Sequence, residues 1–184
     1  MSRKSNPEAG VKIFFWIAAL CVFLSSCRTI PRGVQAVKPF DVDRYMGTWY
    51  EVARLDFFFE RGLNNTTATY TRNPDGSIKV VNRGYNPKKG LWKTAEGRAV
   101  FVGSHNEGRL KVSFFGPFYG AYNIIALDDD YRHALVAGKN TDYLWILSRT
   151  STIPEEVRNR YLEIARQAGF AVNELLWIEH DRTS

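Results

Sequence analysis

The sequence predicts an all-β protein, an eight-stranded antiparallel up-and-down β-barrel with one C-terminal α-helix packed on its outside. Three observations carry that prediction. From Phe40 onward, short runs rich in β-branched and aromatic residues recur at intervals of about 8 to 14 residues. The breaks between them are tight-turn sequences, and only one later segment places apolar residues at helical spacing. Composition agrees: the 184 residues are 45% hydrophobic and 14% aromatic against 24% charged, enough chain for one packed domain and too apolar for disorder.

The chain opens with Arg3, Lys4 and Lys12 against Glu8, followed by the apolar run Ile13 to Leu24. A basic stretch and then a short apolar one is the layout of a secretory leader. The run falls short of the roughly 20 apolar residues that a permanent membrane helix needs. Leu24-Ser25-Ser26-Cys27 resembles the bacterial lipobox, which implies cleavage after Ser26 and acylation of the Cys27 thiol and amino group. Several acyl chains together make a nearly permanent anchor. Arg28 stands where an Asp would resemble the inner-membrane retention signal, so the resemblance implies the outer membrane, on its periplasmic side. Cys21 and Cys27 are the only cysteines; Cys21 leaves with the leader, so the body of the chain has no thiol for a disulfide or a cysteine-based zinc site. Processing also removes three of the basic groups behind the net charge of +6, and the remaining basic residues are scattered. A nucleic-acid partner is therefore not expected.

Residues 28–38, with Pro31 and Gly33, read as an extended spacer. Asp41 is placed to cap one short helical turn through Met46. Strands are expected near 48–56, 66–72, 78–84, 92–103, 109–115, 121–127, 132–137 and 142–149. Asn73-Pro74-Asp75-Gly76, Asn86-Pro87-Lys88-Lys89-Gly90, His105-Asn106-Glu107-Gly108, Asp128-Asp129-Asp130 and Gly138-Lys139-Asn140 supply turns. Short connections make neighbouring strands antiparallel, and closing the meander into a barrel removes its edges. Thr152-Ile153-Pro154-Glu155 reads as a capping box, and Val157, Tyr161, Ile164, Ala165 and Ala168 form one helical stripe that Gly169 ends. Glu174 to Glu179 reads as a last short strand.

Gly47-Thr48-Trp49-Tyr50 at the first strand, Thr141-Asp142-Tyr143 at the eighth and Arg149 at its end resemble, in order, the three signatures of the lipocalins. Arg44 to Glu51, Val112 to Gly120 and Asp142 to Arg149 are similar to the bacterial lipocalin lipoproteins and apolipoprotein D. The resemblance implies residues 1–26 as signal peptide, 27–39 as lipidated Cys27 and tether, and 40–184 as the lipocalin domain. An eight-stranded barrel is just wide enough for one small ligand if one end is closed. In the lipocalin pattern Gly47, Trp49, Asp142 and Arg149 form the closing motif, with the guanidinium over the indole ring and Asp142 bonding backbone near the closed end.

Because side chains alternate along a strand, placing Arg149 over Trp49 puts Leu147, Trp145 and Tyr143 on the inner side. By similarity to the family, Leu110, Val112, Phe114, Asn123 and Ile125 also face in. Tyr143, Trp145 and these five form the expected ligand wall, suited to a fatty acid or lysophospholipid, unless they simply fill the barrel. Phe57-Phe58-Phe59 in the first loop are costly to expose: a mouth lid, a membrane-facing lip, a homodimer contact and packing into the core all account for them. His105, His133 and His180 lie in separate segments, and His133 beside Arg132 reads as a surface residue, so no metal site is expected. No nucleophile elbow or phosphate loop is present, and neither catalysis nor a cofactor is expected. The function implied is binding, storage or transport of a hydrophobic lipid in membrane maintenance or stress; the rival is an envelope-tethered interaction module with a filled cavity.

Overall fold

A computed structural model describes residues 29–182; the leader and Cys27 lie outside the described residues. Asp41 caps the one-turn helix α1 (Val42–Tyr45), its carboxylate accepting from the Asp43 amide at 3.0 Å and the Arg44 amide at 3.4 Å. The chain then enters β1 (Gly47–Arg54) and runs through β2 (Asn64–Arg72), β3 (Ile78–Asn86), β4 (Leu91–Phe101), β5 (Arg109–Phe115), β6 (Phe118–Leu127), β7 (His133–Ala137) and β8 (Leu144–Ser148). Each strand pairs antiparallel with the next, and β1 pairs with both β2 and β8, which closes the barrel.

Two apolar layers hold this barrel. Inside, Trp49, Tyr70, Ile78, Val80, Ala99, Leu110, Ile124, Val136 and Leu147 are buried together. Outside, helix α2 (Glu155–Gln167) lays Tyr161 and Ala165, flanked by Val157, Ile164 and Ala168, on Val52, Ala53, Leu135 and Ile146, as its apolar stripe predicts. The Tyr161 hydroxyl donates to the His133 carbonyl at 2.7 Å, so the one polar atom of the stripe is satisfied. The capping box does not form. Pro154, whose side chain has no acceptor, occupies the N-cap with no side-chain bond, and the Thr152 carbonyl accepts from the Ser148 and Thr150 hydroxyls at 3.0 and 2.9 Å. At the other end Gly169 takes φ +85° and the Phe170 and Gly169 amides return to the Ala165 and Arg166 carbonyls, both at 3.0 Å, the paired bonds of a glycine-terminated helix.

Beyond α2 and a single 3₁₀ turn (Val172–Glu174), the last strand β9 is shorter than expected, only Leu176–Trp177. It pairs with Ala53 and Arg54, where β2 has peeled away from β1. The chain continues as a wedge between them: the Ile178 amide donates to Val52, the His180 ring bonds the Glu51 carbonyl and the Asn65 amide donates to Glu179.

The segment read as a spacer is docked along the barrel instead. Val37 exchanges backbone bonds with Ile124 and Gly108 at 2.8 and 3.0 Å, and Asn123 and Arg109 reach Thr29 at 2.8 Å. The end of β6 and the start of β5 leave backbone groups that this segment satisfies, a demand invisible in its own residues.

Candidate functional site: the calyx

The barrel closes at the end where β1 begins and β8 finishes. The Arg149 guanidinium carbon lies 3.9 Å from the centroid of the Trp49 ring, and its N–H groups donate to four backbone carbonyls: Tyr131 at 3.2 Å, Thr48 at 3.0 Å, Arg44 at 2.9 Å and Tyr45 at 3.1 Å. Trp49 is completely buried and donates its indole N–H to the Tyr45 carbonyl at 2.9 Å. Gly47 is required here by its backbone, which adopts φ +94°, a conformation that favours glycine. Asp142 is not part of this closure. It sits in the β7–β8 turn at the opposite, open end, exposed, and accepts from the Asn140 amide at 2.7 Å. Antiparallel pairing forces that result, since the two ends of β8 lie at opposite ends of the barrel.

Just above the floor three phenols join: the Tyr122 hydroxyl is 2.7 Å from that of Tyr45 and 2.8 Å from that of Tyr70. Burial pushes all three well above the ordinary tyrosine range, so they remain neutral.

Higher up the inner wall loosens. Leu110 is buried, whereas Val112 and Phe114 further along β5 are half-buried; Leu147 is buried, whereas Trp145 above it on β8 is half-buried. These side chains pack against the inner cluster and face the calyx. Tyr143 lies at the rim, its ring 6.4 Å from Trp145 and 5.9 Å from Phe57. Asn123 and Ile125 point the other way. Cross-strand partners share a face, and Leu110 pairs with Tyr122 while Asn123 pairs with Arg109 and Ala137. Tyr122 and Ile124 therefore face in. Asn123 turns out to bond Thr29, Ala137 and Gly138, and Ile125 packs under α2. An error of one residue in parity exchanges the two faces of a strand.

The first loop divides its three aromatics. Phe57 is half-buried and packs edge-on to Trp145 at 5.6 Å and to Tyr143 at 5.9 Å. Phe58 and Phe59 are 77% and 68% exposed and join Phe115 and Phe118, 66% and 78% exposed on the β5–β6 hairpin, in an aromatic lip beside the mouth.

A buried polar cluster on the calyx wall was not anticipated. Trp49 and Glu51 share the inner side of β1, and a bulge at Val52 then turns Arg54 inward beside Trp145. Arg54, 1% exposed, donates to the Glu51 carboxylate and to the Glu60 and Leu63 carbonyls at 2.8 and 3.0 Å. The Thr66 hydroxyl donates to Glu51 at 3.1 Å, and the Trp145 indole N–H donates to the Glu60 carboxyl at 3.0 Å. Burial, reinforced by the Glu51 charge, pushes Glu60 up to about 8; burial likewise raises Glu51. The alternation Trp49–Glu51 was the available signal, a charged residue at an inward position. His133, expected at the surface, is instead buried and held by Asp128 at 2.7 Å. An open cleft of about 370 Å³ lies by the start of α2, lined by Arg132, Ser148 and Thr152 among others; Leu110, Val112, Phe114 and Trp145 are not in its lining.

Residues 40–180 match the family model described as lipocalin-like domain. The chain is 55% identical over 162 residues to "Outer membrane lipoprotein Blc" of Escherichia coli K12, spanning 88% of this chain and 92% of that protein. It is 38% identical to "Temperature-induced lipocalin-1" of Arabidopsis thaliana, over 80% of this chain and 83% of that one. Among solved structures, insecticyanin of the tobacco hornworm Manduca sexta superposes with a TM-score of 0.67 at 19% identity, covering 82% of this chain and 86% of its own, a likeness of fold alone.

Proposed function

Since the chain belongs to the lipocalin family, we propose that it binds a single-chain hydrophobic lipid, a fatty acid or lysophospholipid, and stores or transports it at the outer membrane for membrane maintenance or stress. The protein is an outer-membrane lipoprotein, and in this proposal Cys27 carries the lipid that holds it there. One observation supports the ligand reading above others: the inner wall is closed and fully buried at the Trp49 end but half-buried at Val112, Phe114 and Trp145 toward the mouth. That gradient leaves apolar surface toward the mouth for an acyl chain to cover. Binding is driven by burial of the acyl chain, about 0.8 kcal/mol per CH₂, less the cost of ordering it. The chain supplies binding and exclusion of water, with no group assigned to catalysis. The exposed Phe58, Phe59, Phe115 and Phe118 favour a second reading, in which the lip docks a partner while the calyx stays unused.

Titration of the purified full chain with a lysophospholipid, followed by tryptophan fluorescence, separates the two. Trp145 is expected to report saturable binding, and an organic extract of the protein to contain lipid. No saturable change together with an empty extract rejects the carrier reading. Mass spectrometry of the membrane-extracted protein tests acylation of Cys27.

A further inference from the structure

The polar cluster of the calyx is one positive charge short. Two carboxyl groups, Glu51 and Glu60, face one guanidinium, that of Arg54, in a setting where all three are largely withdrawn from water. Arg54 is committed to Glu51 in a direct ion pair, while Glu60 stands 4.0 Å from its Nε. That Nε is buried and has no hydrogen-bond partner. Among the described residues, Glu60 accepts from the neutral indole N–H of Trp145, and its carboxyl also shares a hydrogen bond with that of Glu51. A buried carboxylate without a full counter-charge is expensive, so the deficit is filled either by a proton held on Glu60 or by a cation brought from outside.

Glu60 is the most exposed member of the cluster. Its side chain is 15% exposed against 7% for Glu51 and 1% for Arg54, and it sits in the loop that borders the mouth. The rings beside it are aromatic: Trp145, which it contacts, with Phe57 edge-on at 5.6 Å and Tyr143 stacked at 6.4 Å. A carboxylate against aromatic surface is the chemistry that holds an ammonium group, by charge and by cation–π attraction. The other charged groups facing this region are few. Asp56 and Arg61 neutralise each other outside the calyx at 2.9 Å. Lys93, on the inner side of β4 through its pairing with Gly84, is exposed at the rim and forms no ion pair among the described residues.

We propose that Glu60, backed by Trp145, Tyr143 and Phe57, is the headgroup site of the calyx and selects amphiphiles with a cationic ammonium head over those ending in a carboxylate. This rests on the calyx reading above and specifies the ligand class it takes. On binding, the ammonium replaces the proton that Glu60 otherwise holds, and that proton goes to solvent. A carboxylate head cannot take the place of that proton and adds a second negative charge beside Glu51, whose one counter-charge, Arg54, is already committed.

Three amphiphiles with one twelve-carbon tail test this with the full chain purified in digitonin at pH 7: dodecyltrimethylammonium, dodecanoate and dodecanol, followed by tryptophan fluorescence. The expected result is at least about tenfold tighter binding of the ammonium than of the carboxylate, with proton release seen by calorimetry in two buffers. In Glu60→Gln, which can still accept from the indole, the preference and the proton release are lost while dodecanol binds as before. Dodecylphosphocholine as a fourth ligand separates a zwitterionic lipid head, bound comparably, from a simple alkylammonium. Dodecanol binding with no head preference, or a preference that survives Glu60→Gln, overturns the proposal and leaves the calyx intact. Failure of all four ligands rejects the calyx reading itself.

Discussion

Arg149→Ala removes the group that seals the barrel, and the cost can be worked from its contacts. The cation–π contact with Trp49, at 3.9 Å, contributes about 0.5–2 kcal/mol. Of the four carbonyl bonds, those to Thr48 and Arg44 are exposed and water replaces them at little cost. Those to Tyr131 and Tyr45 are partly buried; the Tyr45 carbonyl keeps the Trp49 indole N–H, so the two losses together cost about 2 kcal/mol, most of it at Tyr131. The sum is about 3 kcal/mol, a large share of the roughly 5–15 kcal/mol by which domains are stable. At about 2–4 °C per kcal/mol for a chain of this size, the melting temperature falls by roughly 6–12 °C. The assay is urea unfolding at pH 7 followed by near-UV circular dichroism, which also reads the Trp49 environment. Arg149→Lys keeps the charge but loses the planar fork that reaches four carbonyls, and recovers under half of the loss. Trp49→Phe completes a double-mutant cycle with an expected coupling of about 1 kcal/mol. A loss below about 0.5 kcal/mol, the level of an ordinary surface substitution, or strict additivity with Trp49→Phe refutes the reasoning.

Two further outcomes follow from the same contacts. Glu60 is pushed from 4.5 to about 8 in the folded state, so the folded chain holds a proton that the unfolded chain gives up. The resulting stability is present in full below about pH 4.5 and is lost as pH rises toward 8; Glu60→Gln is expected to flatten that slope in melting temperatures taken from pH 5 to 9, and an unchanged slope refutes the assignment. Asn123→Ala removes the bonds to Thr29, Ala137 and Gly138, and hydrogen exchange at residues 29–37 is expected to speed up while the amides of β2 and β3 keep their protection.

The eight strands were legible because each carries its own turn chemistry and β-rich composition, both local properties. The stripe on α2 was legible for a similar reason: five apolar residues at spacings of three and four can bury themselves only on one face. The floor of the calyx was legible through Gly47, Trp49 and Arg149, whose spacing along the first and last strands survives closure of the barrel. The inner wall was legible only in part. Leu110, Val112 and Phe114 follow plain alternation, whereas the inward face of β6 depends on which residue of β5 stands opposite Tyr122, and no pattern within β6 reveals it.

By itself, then, the sequence determined an up-and-down barrel with one outer helix and a closed end at Trp49, because these rest on short-range patterns. Only the tertiary structure decided what depends on register and on partners distant in the chain. It turned Asn123 and Ile125 outward, put Asp142 at the mouth and laid residues 29–37 along β5 and β6. It also let the C-terminal segment wedge between β1 and β2, and through one bulge at Val52 it brought Arg54 in beside Glu51 and Glu60. A single residue of register moves a side chain from core to solvent, and the local sequence holds no record of that choice.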